Sequence, residues 1–161
     1  MEERQNMNRA RRTLIKGVAG AAALSLTALS ALLRPLNSFA APWNKTAFEA
    51  KTLADAMKLA GMNGATESKD ISIKAPDIAE DGAVVPIEIN SKIPGTRSIT
   101  IFAEKNPQPL VASFTFAEGV EGYVSTRIKL GETSLVRIVV SAGDKLYSAG
   151  KDVKVTIGGC G

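Results

Sequence analysis

Apolar and polar positions alternate in short runs over most of the chain after residue 69, and turn residues separate the runs. Alternation of this kind is typical of strands with one buried face. The predicted strands cover residues 69–74, 84–89, 98–103, 110–116, 123–130, 134–141, 146–148 and 151–157. They follow one another at spacings of about 10 to 14 residues without a helical run between them, so the pattern predicts a β-sandwich over residues 67–157. Pro86 lies inside one run and predicts an edge strand or a bulge there.

A helical period precedes the strands, in an N-terminal segment over residues 41–66. Thr46 and Glu49 have the spacing of a capping box, in which each side chain satisfies a backbone N–H at the helix start. The apolar positions near helical spacing are Phe48, Leu53, Ala54, Met57 and Ala60. Gly61 is a typical residue to end a helix. The pattern predicts one short amphipathic helix over about 46–60, with an apolar stripe that indicates core packing; docking of a partner is the alternative interpretation.

The first 40 residues have the organisation of an export signal. Arg11 and Arg12 precede an apolar, Ala- and Gly-rich run of 17 residues, 17–33, which is short for a membrane span of about 20 residues. The paired arginines resemble a bacterial twin-arginine signal. Ser38-Phe39-Ala40 places small residues where a signal peptidase reads them, which predicts cleavage after Ala40 and a periplasmic protein. The alternative is an uncleaved N-terminal anchor.

The net charge of +4 belongs to this leader. Residues 1–40 contain six basic and two acidic residues, which leaves 14 basic and 14 acidic residues in 41–161. A neutral body without clustered Lys and Arg does not have the composition of a nucleic-acid-binding domain.

The chain contains no histidine and one cysteine, Cys160. Without histidine, the commonest general base and the commonest metal ligand are missing, and a Cys-His catalytic pair within the chain is excluded. A zinc site of the usual type is excluded for the same reason. The composition therefore predicts neither a cofactor nor a catalytic apparatus in this chain, and any disulfide formed by Cys160 joins another molecule.

Cys160 lies in a glycine-rich ending just after the last predicted strand. Gly158, Gly159 and Gly161 flank the cysteine and leave the backbone with a wide conformational range. Fully extended, residues 158–161 reach about 14 Å beyond the strand. We interpret them as a flexible arm that presents one thiol to other proteins; a frayed terminus is the alternative.

Two stretches make the combination specific. Residues 76–89 read PDIAEDGAVVPIEI, and residues 154–161 read KVTIGGCG. Together with the leader, the helix and the β-rich body, they resemble the SoxY family, the sulfur-carrier subunits of the periplasmic thiosulfate-oxidising (Sox) system. The resemblance implies an immunoglobulin-like antiparallel β-sandwich that pairs with SoxZ, with Cys160 as the covalent attachment site and its flanking glycines as the arm. The family usually ends with two glycines after the cysteine, whereas this sequence has one.

The resemblance also implies a reaction sequence carried out by partners. A cytochrome, SoxAX, joins thiosulfate to Cys160, a hydrolase, SoxB, releases sulfate, and a sulfane dehydrogenase, SoxCD, oxidises the remaining sulfur where it is present. Haem and metal ions belong to those partners. Two other classes stay open: a thiol redox enzyme, which needs a cation or helix N-terminus beside its cysteine, and a binding module held to a partner by a permanent disulfide through Cys160.

Overall fold

The computed structural model describes residues 43–157, which form two short helices followed by nine strands. The helices are α1 (Lys45–Glu49) and α2 (Leu53–Leu59). The strands are β1 (Thr66–Glu67), β2 (Ile71–Lys74), β3 (Ile78–Asp81), β4 (Val85–Ser91), β5 (Thr96–Ala103), β6 (Leu110–Thr115), β7 (Gly122–Ile128), β8 (Ser134–Ala142) and β9 (Lys145–Ile157). The predicted leader with Arg11 and Arg12 and the predicted arm with Cys160 lie outside the described residues.

The strands form two sheets, which confirms the prediction of a mainly β sandwich. The larger sheet has the order β1-β9-β8-β5-β6, with β3 also paired to β9, and the smaller sheet has the order β2-β4-β7. The long pairings are antiparallel, as expected. The short strands β1 and β3 differ from that expectation, because both run parallel to β9.

The main core lies between the two sheets and follows from the alternation along the strands. Side chains of one parity point inward and are fully or almost fully buried: Val85, Ile87 and Ile89 on β4, Ile99 and Ile101 on β5, Val136, Ile138 and Val140 on β8, and Val153 on β9. Burial of each such side chain stabilises the fold by about 1.5–3 kcal/mol. The outer face of the smaller sheet carries polar side chains, including the ion pair Lys74–Glu88 at 3.6 Å.

A second core lies on the outer face of the larger sheet, under the helices. Phe102 and Val139 point away from the main core and are fully buried against the helical segment. The helices contribute the buried Ala47 and Ala56 to this cluster. Because β5 and β8 are covered on both faces, consecutive residues are buried on each strand, 99–103 on β5 and 138–140 on β8. Within residues 43–157, neither helix has the length and apolarity to cross a bilayer.

The prediction of one continuous helix over 46–60 is wrong. The backbone is extended at Ala50, with φ −58° and ψ 141°, and Ala50 is buried in the second core. Thr52 then begins a new helix, because its Oγ1 accepts a hydrogen bond from the Asp55 N–H at 3.1 Å and donates one to Asp55 Oδ2 at 2.7 Å. The capping signal at Thr52 therefore divides the helical stretch.

The predicted capping box at Thr46 and Glu49 is also wrong. Asn44 caps α1 instead, because its Oδ1 accepts from the Ala47 N–H at 3.2 Å, and Thr46 Oγ1 donates to the same oxygen at 2.9 Å. Glu49 forms an exposed pair with Lys45 at 3.6 Å.

The predicted helix end is confirmed, and so is most of the predicted apolar stripe. Gly61 follows the C-cap with φ +68°, where only glycine is unstrained, and confirms the expected helix end. The Met62 N–H to Met57 oxygen bond at 2.8 Å completes this end. Phe48, Leu53, Met57 and Ala60 pack in the second core as predicted, whereas Ala54 is exposed.

The strand pattern differs from the prediction at three places. Residues 146–148 and 151–157 belong to one strand, β9, because residues 145–153 pair without a break with the continuous strand β8. β1 and β3 were not predicted, since they are short and do not alternate. Pro86 lies on the central strand β4, which pairs with β7 along its whole length. On its other side, β2 pairs only with residues 88–91 of β4, so Pro86 lies in a part of the strand that has an open edge, as predicted.

Gly122 marks a close approach between the two sheets and provides a test of the packing. A Cβ at this position would lie 2.9 Å from Thr96 Cγ2 and 3.2 Å from Ser91 Cβ. The Ser91 and Thr96 hydroxyls are hydrogen-bonded to each other at 2.7 Å, which holds both side chains in place. We expect Gly122→Ala to lower the free energy of unfolding by about 1–3 kcal/mol because of overpacking.

Urea unfolding of the purified protein measures this change. Gly131→Ala is the matched control, because its Cβ would approach no atom closer than Asn106 Oδ1 at 3.8 Å. Equal stabilities of the two variants would contradict the close packing at Gly122.

Candidate functional site at the end of strand β9

The predicted attachment residue lies just beyond the described part of β9. Cys160 and its flanking glycines, Gly158, Gly159 and Gly161, are outside the described residues, whereas β9 is described to Ile157. The Cα atoms of Ile157 and Cys160 are at most about 11 Å apart in an extended chain. The last residues of β9, Lys154–Ile157, therefore form the structural base of the arm, and we call them the root.

On one edge of the root, a side chain replaces the strand that has ended. The last register pair of β8 and β9 is Ser134 with Val153. Beyond it, the Val155 N–H donates to Thr133 Oγ1 at 3.0 Å. The hydroxyl thus provides the acceptor that a longer β8 backbone would have provided. This role of Thr133 was missed in the sequence, where a threonine before a strand carries no distinctive signal.

On the other edge of the root, β3 runs parallel to β9. Ala79 is in register with Val155, and Asp81 is in register with Ile157. The Lys154 N–H donates to the Asp77 carbonyl oxygen at 2.9 Å, and Thr156 Oγ1 donates to the Glu80 carbonyl oxygen at 3.2 Å. The backbone is consequently held on one edge to Val155 and on the other edge to Ile157, three residues before Cys160.

The turn after β3 is tied to the smaller sheet. Asp81 Oδ1 accepts from the Ala83 N–H at 2.7 Å, which closes the turn around the buried Gly82. The Gly82 carbonyl oxygen accepts from the Leu130 N–H, also at 2.7 Å. The two stretches that carried the resemblance, residues 76–89 and 154–161, therefore include neighbouring strands, β3 and the end of β9.

An ion pair joins the start of β3 to β9. Lys151 Nζ lies 2.7 Å from Asp77 Oδ1, with the lysine side chain 27% exposed and the aspartate side chain 88% exposed. The hydrogen bond from Lys151 is the larger cause, and its positive charge the second cause, of a pKa of Asp77 below its ordinary value of 3.8. The pair fixes the approach of β3 to the strand that carries the root.

The chemistry that the described residues offer is limited. Within residues 43–157, no group of three or more His, Cys, Asp or Glu side chains is arranged to hold a metal ion. A groove of about 920 Å³ lies at the opposite end of the sandwich, between the 91–97 and 115–122 segments. The candidate site is therefore the root together with the cysteine that follows it.

Two comparisons with known proteins point to the same family. Residues 56–160 match the model of the family described as sulfur oxidation protein SoxY. Among solved structures, the chain is similar to the sulfur carrier protein SoxY from Chlorobium limicola f thiosulfatophilum, with 42% identity, a TM-score of 0.57, and coverage of 65% of this chain and 96% of that chain. No curated protein matches the chain.

The Thr133 contact predicts a specific change in backbone protection at the root. Thr133→Val removes the acceptor of the Val155 N–H while keeping the side-chain shape. A hydrogen bond of this kind contributes about 1 kcal/mol, so amide exchange at Val155 is expected to accelerate about fivefold. Hydrogen exchange measured by NMR tests this, and Thr133→Ser, which keeps the hydroxyl, serves as the control. Unchanged exchange in Thr133→Val would show that the contact does not protect the root.

The Asp77–Lys151 pair predicts a pH-dependent contribution to stability. Because the pKa of Asp77 is lowered by folding, the pair stabilises the protein above the ordinary value of 3.8 and loses this effect as the pH falls through the lower, folded value. Asp77→Asn should therefore be less stable than the natural protein near neutral pH, and the difference should shrink below pH 3.8.

Urea unfolding over a pH series measures the Asp77 effect. In a Lys151→Gln background, Asp77→Asn should have no such pH-dependent effect, because the partner charge is absent. A stability difference between the natural protein and the Asp77→Asn variant that persists at low pH would contradict the role of the ion pair.

Proposed function

This chain belongs to the SoxY family of sulfur oxidation proteins, and from this we propose that it is a sulfur carrier whose Cys160 binds thiosulfate-derived groups covalently. The observation that carries the proposal is the family match over residues 56–160, which includes the single cysteine of the chain. The root supports it, because a backbone held on both edges provides a defined starting point for a short glycine arm.

The first proposed step loads the carrier. The Cys160 thiolate and the terminal sulfur of thiosulfate form a sulfur–sulfur bond and together lose two electrons. These electrons go to the haem of a SoxAX cytochrome. The product is a cysteine S-thiosulfonate with one negative charge, and it stays attached to the chain.

The second proposed step is hydrolysis by SoxB. Water attacks the sulfonate sulfur, the bond between the two sulfur atoms of the former thiosulfate breaks, and sulfate and two protons are released. A persulfide anion remains on Cys160. Where the host has a SoxCD sulfane dehydrogenase, that enzyme oxidises the remaining sulfur, and a further hydrolysis frees the thiol.

In these steps, this chain holds the intermediate on Cys160 and presents it to the partner enzymes. A single intermediate has to enter several active sites, so the carrier needs a narrow tip, and glycines on both sides of Cys160 provide it. A covalent tether also prevents reactive intermediates from diffusing away. We propose that the chain acts without a cofactor or a catalytic base of its own, with haem and metal ions supplied by the partners.

The proposed cellular context is a heterodimer with SoxZ in the periplasm. The leader with Arg11 and Arg12 supports export by the twin-arginine route, which carries folded proteins. A carrier that folds and pairs in the cytoplasm before export would account for that route. The heterodimer is proposed to be non-covalent, because Cys160 has to stay free for the substrate.

The proposal is tested by loading the SoxZ heterodimer with thiosulfate in the presence of SoxAX and oxidised cytochrome. Intact-mass spectrometry should show the addition of one thiosulfate to the natural chain, and the same spectrum reports whether the mature chain begins at Ala41. Cys160→Ser should abolish loading and retain the heterodimer. Deletion of Gly158 and Gly159 should strongly reduce loading without unfolding the sandwich.

Two results would contradict the carrier function. Loading of Cys160→Ser would place the adduct on another residue. Loss of the SoxZ heterodimer in Cys160→Ser would instead support a binding module with a permanent disulfide.

A further inference from the structure

The short distance between the root and Cys160 limits where an enzyme can meet the carrier. This inference rests on the proposed carrier function of Cys160. Ile157 is the last residue paired with β3, and the Cys160 Cα is at most about 11 Å beyond it. An enzyme that encloses the cysteine adduct in its active site therefore has to bring the mouth of that site against the protein surface around Ile157.

That surface contains two exposed apolar side chains on the 76–89 stretch. Ile78 is 57% exposed and Val84 is 54% exposed. Ile78 is in register with Lys154 of the root, and Val84 follows the turn that is bonded to Leu130. Single exposed apolar residues are common, but two on one short segment beside the attachment point provide apolar area for a partner.

The charged side chains of β3, which flanks the end of β9, are carboxylates. Glu80 is exposed on β3, next to Asp81, which is in register with Ile157. Glu132 is exposed next to Thr133, which binds the Val155 N–H. Lys154 is exposed and is the one cation among the root residues. Asn106 joins the loops that carry Lys105 and Lys129, through hydrogen bonds to the Lys129 carbonyl oxygen and the Gly131 N–H.

We propose that Ile78, Glu80, Val84 and Glu132, here called the rim, form the docking surface for the hydrolase that removes sulfate from the loaded Cys160. The thiosulfonate that this enzyme receives on the cysteine ends in an anionic sulfonate group, and sites that bind such anions use arginine and lysine side chains. The mouth of such a site is therefore electropositive. Carboxylates on the rim attract it, and the apolar side chains become buried on contact.

The opposite end of the sandwich provides a matched comparison. Val120 is 53% exposed, almost the same as Val84, and Glu121 is exposed like Glu80. Both lie beside the start of β7, at the end where β9 begins with Lys145. The 13 residues of β9 separate the two ends by about 40 Å, which is well beyond the reach of the arm.

The experiment measures sulfate release by SoxB from the thiosulfate-loaded heterodimer with SoxZ. Val84→Ser and Glu80→Lys are compared with their matched controls, Val120→Ser and Glu121→Lys. At low salt, the rim variants are expected to raise KM for the carrier about tenfold with kcat unchanged, because only the encounter is weakened. Glu80→Lys is also expected to reduce the salt dependence of kcat/KM, and the controls should match the natural chain.

The outcomes separate the docking surface from the carrier function. Equal KM values for rim variants and controls, with normal loading of the natural chain, would contradict docking at the rim and leave the carrier function intact. Loss of the SoxZ heterodimer in Val84→Ser or Glu80→Lys would assign this surface to SoxZ, and would also contradict docking of the hydrolase there. If the natural chain accepts no thiosulfate on Cys160, both the carrier function and docking at the rim are contradicted.

Discussion

The pairing of β9 along both of its edges is the interaction on which the candidate site depends. β8 pairs with it from Lys145 to Val153, and β3 pairs with it from Lys154 to Ile157. Where β8 has not yet begun, the Thr133 hydroxyl takes over as acceptor. Terminal strands fray when their backbone groups are unpaired, and these contacts hold the strand to Val155 on one edge and to Ile157 on the other.

The packing of the larger sheet supports this strand from behind. β5 and β8 are buried on both faces, by the smaller sheet on one side and by the helical segment on the other. Phe102 and Val139 fill the second core, so α1 and α2 are part of the same packed structure as the sheets. The long strands of the sheet are thereby held rigid, which fixes the place from which the arm starts.

The division between scaffold and chemistry is consistent with a carrier. The described residues provide strands, an ion pair at Asp77 and Lys151, and a surface around the root, while the single cysteine of the chain lies beyond them. Under the proposed function, specificity then has to come from the partners and from the surface that they contact. The residues of the rim are the natural place for that recognition, because the cysteine is only three residues past the root.

Sequence alone was sufficient for the features that depend on local pattern. The period of two predicted the long strands, Gly61 predicted a helix end, and the glycines around Cys160, with the stretch 76–89, led to the SoxY family. The division of the helix at Ala50 followed from burial of that residue under the sheet, together with the cap at Thr52. The pairing of β3 with the root and the contact from Thr133 join residues 22 to 76 positions apart in the chain. Only the tertiary structure decided these contacts, because a short strand or a single hydroxyl becomes a partner only when the fold places a free backbone group beside it.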